Sequence, residues 1–254
     1  MTDTAIGIYR QAMSLRPDYY KPYEYLGGLY HYQGRYAEAA ELFRQDIALA
    51  PDRVNAYGSL AGAYIAMGKY DEAEKVFEAL LEKNKTALTL NNIGAMLSYQ
   101  GKHKQALENY RRAIEMDPDR CIYRLNLGDS QRRTNDGAGA ETSYRKALKL
   151  ALKVIKVNTA DAPTRAYLAY LKARLDMKSD ARTQIEAAMN SPARDDTVWL
   201  TAVQTYEVLG ERDRALDAAK QATLQTRNMM DHHPDLGNLQ KDSGFRRLLA
   251  ASNR

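Results

Sequence analysis

Four histidines, His31, His103, His232 and His233, are the side chains best suited to bind a metal or move a proton near neutral pH. No two of them stand four residues apart around a carboxylate, the spacing by which one helix face grips zinc, so neither a metal site nor a cofactor is expected. Cys121 is the single cysteine. One thiol makes no internal disulfide and no cysteine cage, and its place at the start of a helical pattern makes it a packing residue. Gly137 and Gly139 form a glycine pair without the Lys-Ser/Thr of a phosphate loop or a preceding strand, which assigns them to a turn. No Gly-x-Ser-x-Gly elbow and no kinase loop signature occur. The chain is read as non-enzymatic.

The composition supports that reading. Hydrophobic residues make up 44% and charged residues 27% of the 254 positions. No apolar run approaches the roughly 20 residues of a membrane span, so no insertion is expected. Residues 1 to 13 lack a basic stretch followed by an apolar core, which predicts a cytoplasmic chain, or an extracytoplasmic one if it was cut from a membrane-anchored parent. The net charge is +5, but residues 120 to 182 hold 14 Lys and Arg against 6 Asp and Glu. Nucleic acid is a disfavoured partner for this basic middle, because no aromatic residue interleaves it from 145 to 165.

The elements that carry these residues are repeated. Pro-Asp recurs at Pro17, Pro51 and Pro118, with gaps of 34 and then 67 residues. Helical spacing precedes each of the later two (Ala39, Phe43, Ile47; Ala106, Tyr110, Ile114), so the proline marks a boundary between helices. Gly34, Gly68, Gly101 and Gly210 lie midway, where a left-handed residue ends a first helix before a second begins. Each unit is therefore two helices.

On a 34-residue frame the first unit gives Tyr23, Leu26, Gly27, Tyr30, Ala39, Phe43 and Pro51, with Asp46 where alanine is usual. The second gives Tyr57, Leu60, Ala61, Tyr64, Ala73 and Phe77, and the third Leu90, Ile93, Gly94, Leu97, Ala106, Tyr110 and Ala113. This pattern resembles the tetratricopeptide repeat (TPR) family. The resemblance implies an all-α fold: a right-handed α-α superhelix, or solenoid, of about six helix-turn-helix repeats, with an N-terminal half repeat and a C-terminal capping helix. The expected boundaries are 2–15 for the half repeat, then 20–53, 54–86, 87–120, 121–161, 162–195 and 196–227, with a cap at 228–254. Small residues at positions 8 and 20 of each repeat should let its two helices approach closely.

Three departures carry expectations of their own. Repeats four and five have Arg124 and Arg165 at position 4 and Gln131 and Lys172 at position 11, so their packing must differ. From Ala138 to Val157 the helical pattern runs on, and seven surplus residues predict a helix about 10 Å longer than usual. Thr2 to Leu15 reads as a second helix without its first, which points to a longer parent, a covering chain or self-association through this end. The tail from His233 to Ala250 offers Leu236, Leu239, Phe245, Leu248 and Leu249 as a cap. It resembles the ends of TPR segments in bacterial signalling proteins, where they follow a serine/threonine kinase domain or a winged-helix regulator.

The family resemblance also implies a partner surface, because positions 2, 5, 9, 12 and 13 of each first helix line a concave groove. Carried over, these positions give Tyr32, Asn55, Ile65, Asn91, Tyr99, Arg132 and Arg133 as candidate peptide-binding residues. The asparagines can bond a peptide backbone as both donor and acceptor, and the arginines can fork onto a carboxylate. The expectation is a protein-interaction scaffold holding an extended peptide across repeats one to four, with an acidic group near Arg132 and Arg133. The family's carboxylate clamp is not expected, since Glu24, Gly28, Gly58 and Gly62 occupy its positions.

Overall fold

The computed structural model describes residues 2–83 and 85–252, which contain sixteen helices and no strand. They divide into two compact units, Met1–Thr89 and Leu90–Arg254.

In the first unit, α1 (Thr2–Leu15) packs on α2 (Lys21–Tyr32), followed by α3 (Tyr36–Leu49), α4 (Val54–Ala66) and α5 (Tyr70–Lys83), each against its predecessor. Tyr23, Leu26, Tyr30, Phe43 and Leu60 form its core, and Ile6, Tyr9 and Met13 of α1 lean on it. Tyr23 and Tyr57, the aromatics at position 4, do more than fill space. Each hydroxyl donates to the carbonyl of a preceding boundary proline, Pro17 and Pro51, at 3.0 Å. The aromatic thus ties the first helix to the turn that delivers it. Asp46 is fully buried and meets the Arg53 guanidinium at 2.7 Å, while Arg53 also reaches Glu24 at 2.7 Å and lies 3.9 Å from the centre of the Tyr20 ring.

The α6 helix (Ala87–Tyr99) carries the boundary between the units. The second unit continues with α7 (His103–Met116), α8 (Cys121–Arg133), α9 (Gly137–Val157), α10 (Ala162–Arg174), α11 (Lys178–Met189), α12 (Asp196–Leu209) and α13 (Arg212–Gln221). Three helices close it: α14 (Leu224–His232), the single turn α15 (Gly237–Gln240) and α16 (Ser243–Ser252). Met230, Leu236, Leu239 and Phe245 are fully buried there, in one core with Val198, Val203 and Tyr206 of α12. The closing segment is part of the second unit's core.

Close approach within each helix pair has a specific cause. A Cβ added to Gly27 would lie 2.7 Å from the Phe43 ring, and one on Gly94 or Gly128 would lie 2.6 Å from the ring of Tyr110 or Tyr144. Position 8 is small because the position-24 aromatic lies flat against it. The turn glycines Gly34, Gly68, Gly101 and Gly210 all have φ between 70° and 77°. In repeats four and five, Asn135 (φ 65°) and Asp176 (φ 61°) take that conformation instead, two residue types that tolerate it better than most. The unusual position-11 residues are also explained, because Gln131 accepts from the Ser143 hydroxyl at 2.6 Å and Lys172 donates to Asp180 at 2.8 Å. Polar cross-links to the second helix replace the usual tyrosine.

The α9 helix has 21 residues where α3, α5 and α7 have 14. Seven residues at 1.5 Å rise extend it by about 10 Å. Cys121 is buried at the start of α8, and burial raises its thiol pKa to about 11, which makes it an inert packing group.

Candidate functional site

The inner faces of α6, α8, α10 and α12 carry an unusual density of polar groups, and the segment after α14 lies against them. Asp235 is the centre. Its carboxylate accepts from Arg133 Nε at 2.9 Å and meets Arg133 Nη2 at 2.8 Å, a two-pronged pair. Arg132 Nη2 donates to it at 2.5 Å and Arg174 Nη2 at 3.1 Å. Three guanidiniums therefore converge on one carboxylate. Asp129, beneath them, accepts from the hydroxyls of Tyr144 at 2.6 Å and Tyr170 at 2.9 Å, and Tyr170 accepts from Arg174 Nε at 2.8 Å.

Burial sets the electrostatics. It opposes the Asp235 charge, but the Arg133 hydrogen bond and the fields of Arg133, Arg132 and Arg174 outweigh it and hold the pKa far below the carboxylate range. Asp129 shifts the other way, raised by burial and by repulsion from Asp235. His233 is pushed down to about 4 by burial, with the three arginines adding to the effect and Asp235 opposing it. The ring is neutral at pH 7. Its Nδ1 accepts from the Asp235 backbone N–H at 3.2 Å, the Gln204 amide meets its other nitrogen at 2.9 Å, and the Tyr99 ring stands edge-on at 5.5 Å.

Beside this network is a cavity of about 210 Å³, lined by side chains of α6, α8, α10 and α12, by Tyr110 of α7, and by Met229, His233 and Pro234. Asn126 faces it, and its Nδ2 donates to Asn91 Oδ1 at 3.0 Å.

The seven candidate residues are thus distributed unevenly. Tyr32 (58% exposed), Asn55 and Ile65 belong to the first unit, on α2 and α4. Asn91, Tyr99, Arg132 and Arg133 belong to the second, and there the fold draws Tyr99, Arg132 and Arg133 together around residues 233–235. Asn91 is buried and orients Asn126. The arginine fork that the groove positions imply is filled by the chain's own Asp235. Tyr170 and Arg174 stand at groove positions 9 and 13 of repeat five, one repeat beyond the four assigned to the peptide, whereas His233 and Asp235 lie beyond the last repeat. For Asp235 a signal lies in the sequence, since Pro234-Asp235 repeats the Pro-Asp pair found at 17, 51 and 118.

Among the described residues no group of three or more His, Cys, Asp and Glu is arranged to hold a metal, and no helix is long and apolar enough to cross a membrane.

Comparison with known proteins agrees with the geometry. Tetratricopeptide repeat patterns match residues 52–119 and 97–152, and the pattern described as anaphase-promoting complex, cyclosome, subunit 3 matches residues 1–80. A TPR repeat-containing protein of Dictyostelium discoideum is 33% identical over 85 residues, which are 34% of this chain and 32% of that protein. The chain therefore matches about a third of that relative's length. Among solved structures, MamA has a TM-score of 0.55 at 22% identity, covering 61% of this chain and 91% of its own. The APC/C Cut9-Hcn1 hetero-tetramer gives 0.57 at 17% identity, covering 100% of this chain and 46% of the other. A tetratricopeptide repeat protein from Parabacteroides merdae gives 0.57 at 15%, covering 100% and 93%. At these identities the structures speak for the fold alone. The paired helices, the glycine-ended turns and the matched sequence patterns together make this chain a member of the tetratricopeptide repeat family.

Proposed function

We propose that the chain is a non-catalytic scaffold that holds an extended peptide of a partner protein on the inner faces of α6, α8, α10 and α12. The observation that carries this reading is the Asn91–Asn126 pair. Asn91 fixes the Asn126 amide in the cavity wall, and the Asn126 carbonyl oxygen makes no hydrogen bond within the described residues. An amide held this way offers a peptide backbone an acceptor without the entropy loss of a free side chain. An acidic group on the peptide is not part of this reading, because Asp235 already occupies the hydrogen-bonding forks of Arg132 and Arg133.

Peptides selected from a displayed library on the full chain test the reading. Asn126→Ala, and separately Asn91→Ala with Arg132→Ala, should weaken the selected peptides about tenfold, or about 1.4 kcal/mol. Unchanged affinity in both variants contradicts the proposal.

Self-association remains a second reading for the first unit, favoured by the exposure of Ile8 (59%) and Leu15 (74%) on α1. Light scattering on wild type and Ile8→Glu/Leu15→Glu distinguishes a dimer from a monomer. Membership of a larger bacterial signalling protein, a kinase or a regulator, is a proposal that the parent reading frame tests.

A further inference from the structure

The cavity in the second unit has features that specify what enters it. At about 210 Å³ it is smaller than the roughly 300–1,000 Å³ of pockets for drug-sized ligands. It has room for about seven waters at ~30 Å³ each, the scale of one large side chain and not of a helix. Its walls are mainly apolar and aromatic, with Tyr99, Ile122, Tyr167, Leu200, Met229 and Pro234 among them. None of these six is fully buried.

Every charged group that lines it is already matched. Arg133 is forked on Asp235, and Asp129 accepts from Tyr144 and Tyr170. A charged side chain entering would be desolvated with no opposite charge left to pair with it. An uncharged one loses nothing. The wall also keeps a polar spot, because the Thr197 hydroxyl makes no hydrogen bond among the described residues. An aliphatic guest would leave it dry and unpaired. An aromatic ring with a polar edge satisfies it while stacking on Tyr99 and Tyr167 and touching the Met229 thioether.

We infer that this cavity is a specificity pocket for one tyrosine or tryptophan side chain of the bound peptide. The inference rests on the peptide-holding reading for its context, but the pocket can be probed without a peptide.

Two measurements on the full chain separate the two claims. The first is NMR titration with N-acetyl-tyrosinamide, with N-acetyl-leucinamide and N-acetyl-aspartamide as controls, observing the Met229 methyl group. A saturable shift with the aromatic amide alone is expected, and its loss in Ala95→Leu, which fills the cavity, assigns it to this site. No shift, or equal shifts with all three amides, overturns the pocket. The second is the sequence of library-selected peptides. They should share one aromatic position whose change to alanine weakens binding at least tenfold, and Thr197→Val should remove the preference for tyrosine over phenylalanine. Selected peptides without a shared aromatic overturn the pocket and leave peptide binding standing. A saturable shift with the tyrosine probe and no selected peptide overturns the peptide reading while keeping the pocket.

Discussion

Asp235 and Arg133 stand 102 residues apart in sequence and form a two-pronged ion pair, with contacts of 2.8 and 2.9 Å. The pair joins the closing segment of the second unit to the end of α8. Because Arg132 and Arg174 reach the same carboxylate, one acidic side chain engages all three guanidiniums of the inner face, and Asp129 stands 4.0 Å from Arg174. The consequence for function is a site that recognises shape and neutral polarity.

Removing that carboxylate should be costly. Asp235→Asn leaves three guanidiniums with only Asp129, 4.0 Å from Arg174, as a nearby counter-charge, and should destabilise the second unit by about 3–5 kcal/mol. Arg132→Ala should cost much less, since Arg132 is 37% exposed and the other two arginines still hold Asp235. Urea unfolding of both variants measures the difference.

The glycines make a paired test. Gly94→Ala and Gly128→Ala place a methyl group 2.6 Å from a buried tyrosine ring and should cost about 1–3 kcal/mol. Gly58→Ala, inside α4 with nothing within 4 Å, should stabilise by about 0.5–1 kcal/mol. Opposite shifts in thermal midpoint confirm that contact with the aromatic, and not helix propensity, governs position 8.

Asp46 occupies a position where the repeat usually has alanine, and its Oδ2 is buried without a partner. Burial raises its pKa against the pull of Arg53. Asp46→Ala should therefore be neutral or stabilising, because Arg53 keeps Glu24, whereas Arg53→Ala strands a buried carboxylate and should cost about 3–5 kcal/mol. Equal losses in denaturation of the two variants would falsify this assignment.

Acid should weaken the second unit through His233. In the unfolded chain His233 takes up a proton near its ordinary 6.5, but in the folded chain only near 4. Between these values the unfolded state binds the extra proton, so stability falls as pH drops through that window. At 1.36 kcal/mol per unit the loss reaches about 3 kcal/mol. Asp235, with its pKa lowered, adds a further loss below 3.8, while Asp129, with its pKa raised, acts in the opposite sense. Urea midpoints between neutral pH and about pH 4 should decline in wild type and flatten in His233→Gln.

Sequence legibility followed the range of the interaction. Gly34, Gly68, Gly101 and Gly210 were readable as turns because their φ near +70° is a local backbone demand that glycine meets most easily. Asn135 and Asp176 escaped because they meet the same demand with a different residue type. The surplus in α9 was readable as uninterrupted periodicity. Arg132 and Arg133 could be read as cationic, but their neutralisation by Asp235 could not, since helical spacing carries no information on a contact across 102 residues. For the same reason Asn91 was read as a direct contact, although the fold uses it to orient Asn126.

The central claim is that the inner face of the second unit holds an uncharged peptide segment. Fluorescence anisotropy of a library-selected peptide, titrated with wild type and with Asn126→Ala at low and high salt, tests it most directly. Wild-type affinity should hardly change with salt, because an uncharged peptide forms no ion pair with the arginines that Asp235 already engages, and the variant should lose about tenfold. Affinity that falls steeply with salt and is the same in Asn126→Ala would contradict it.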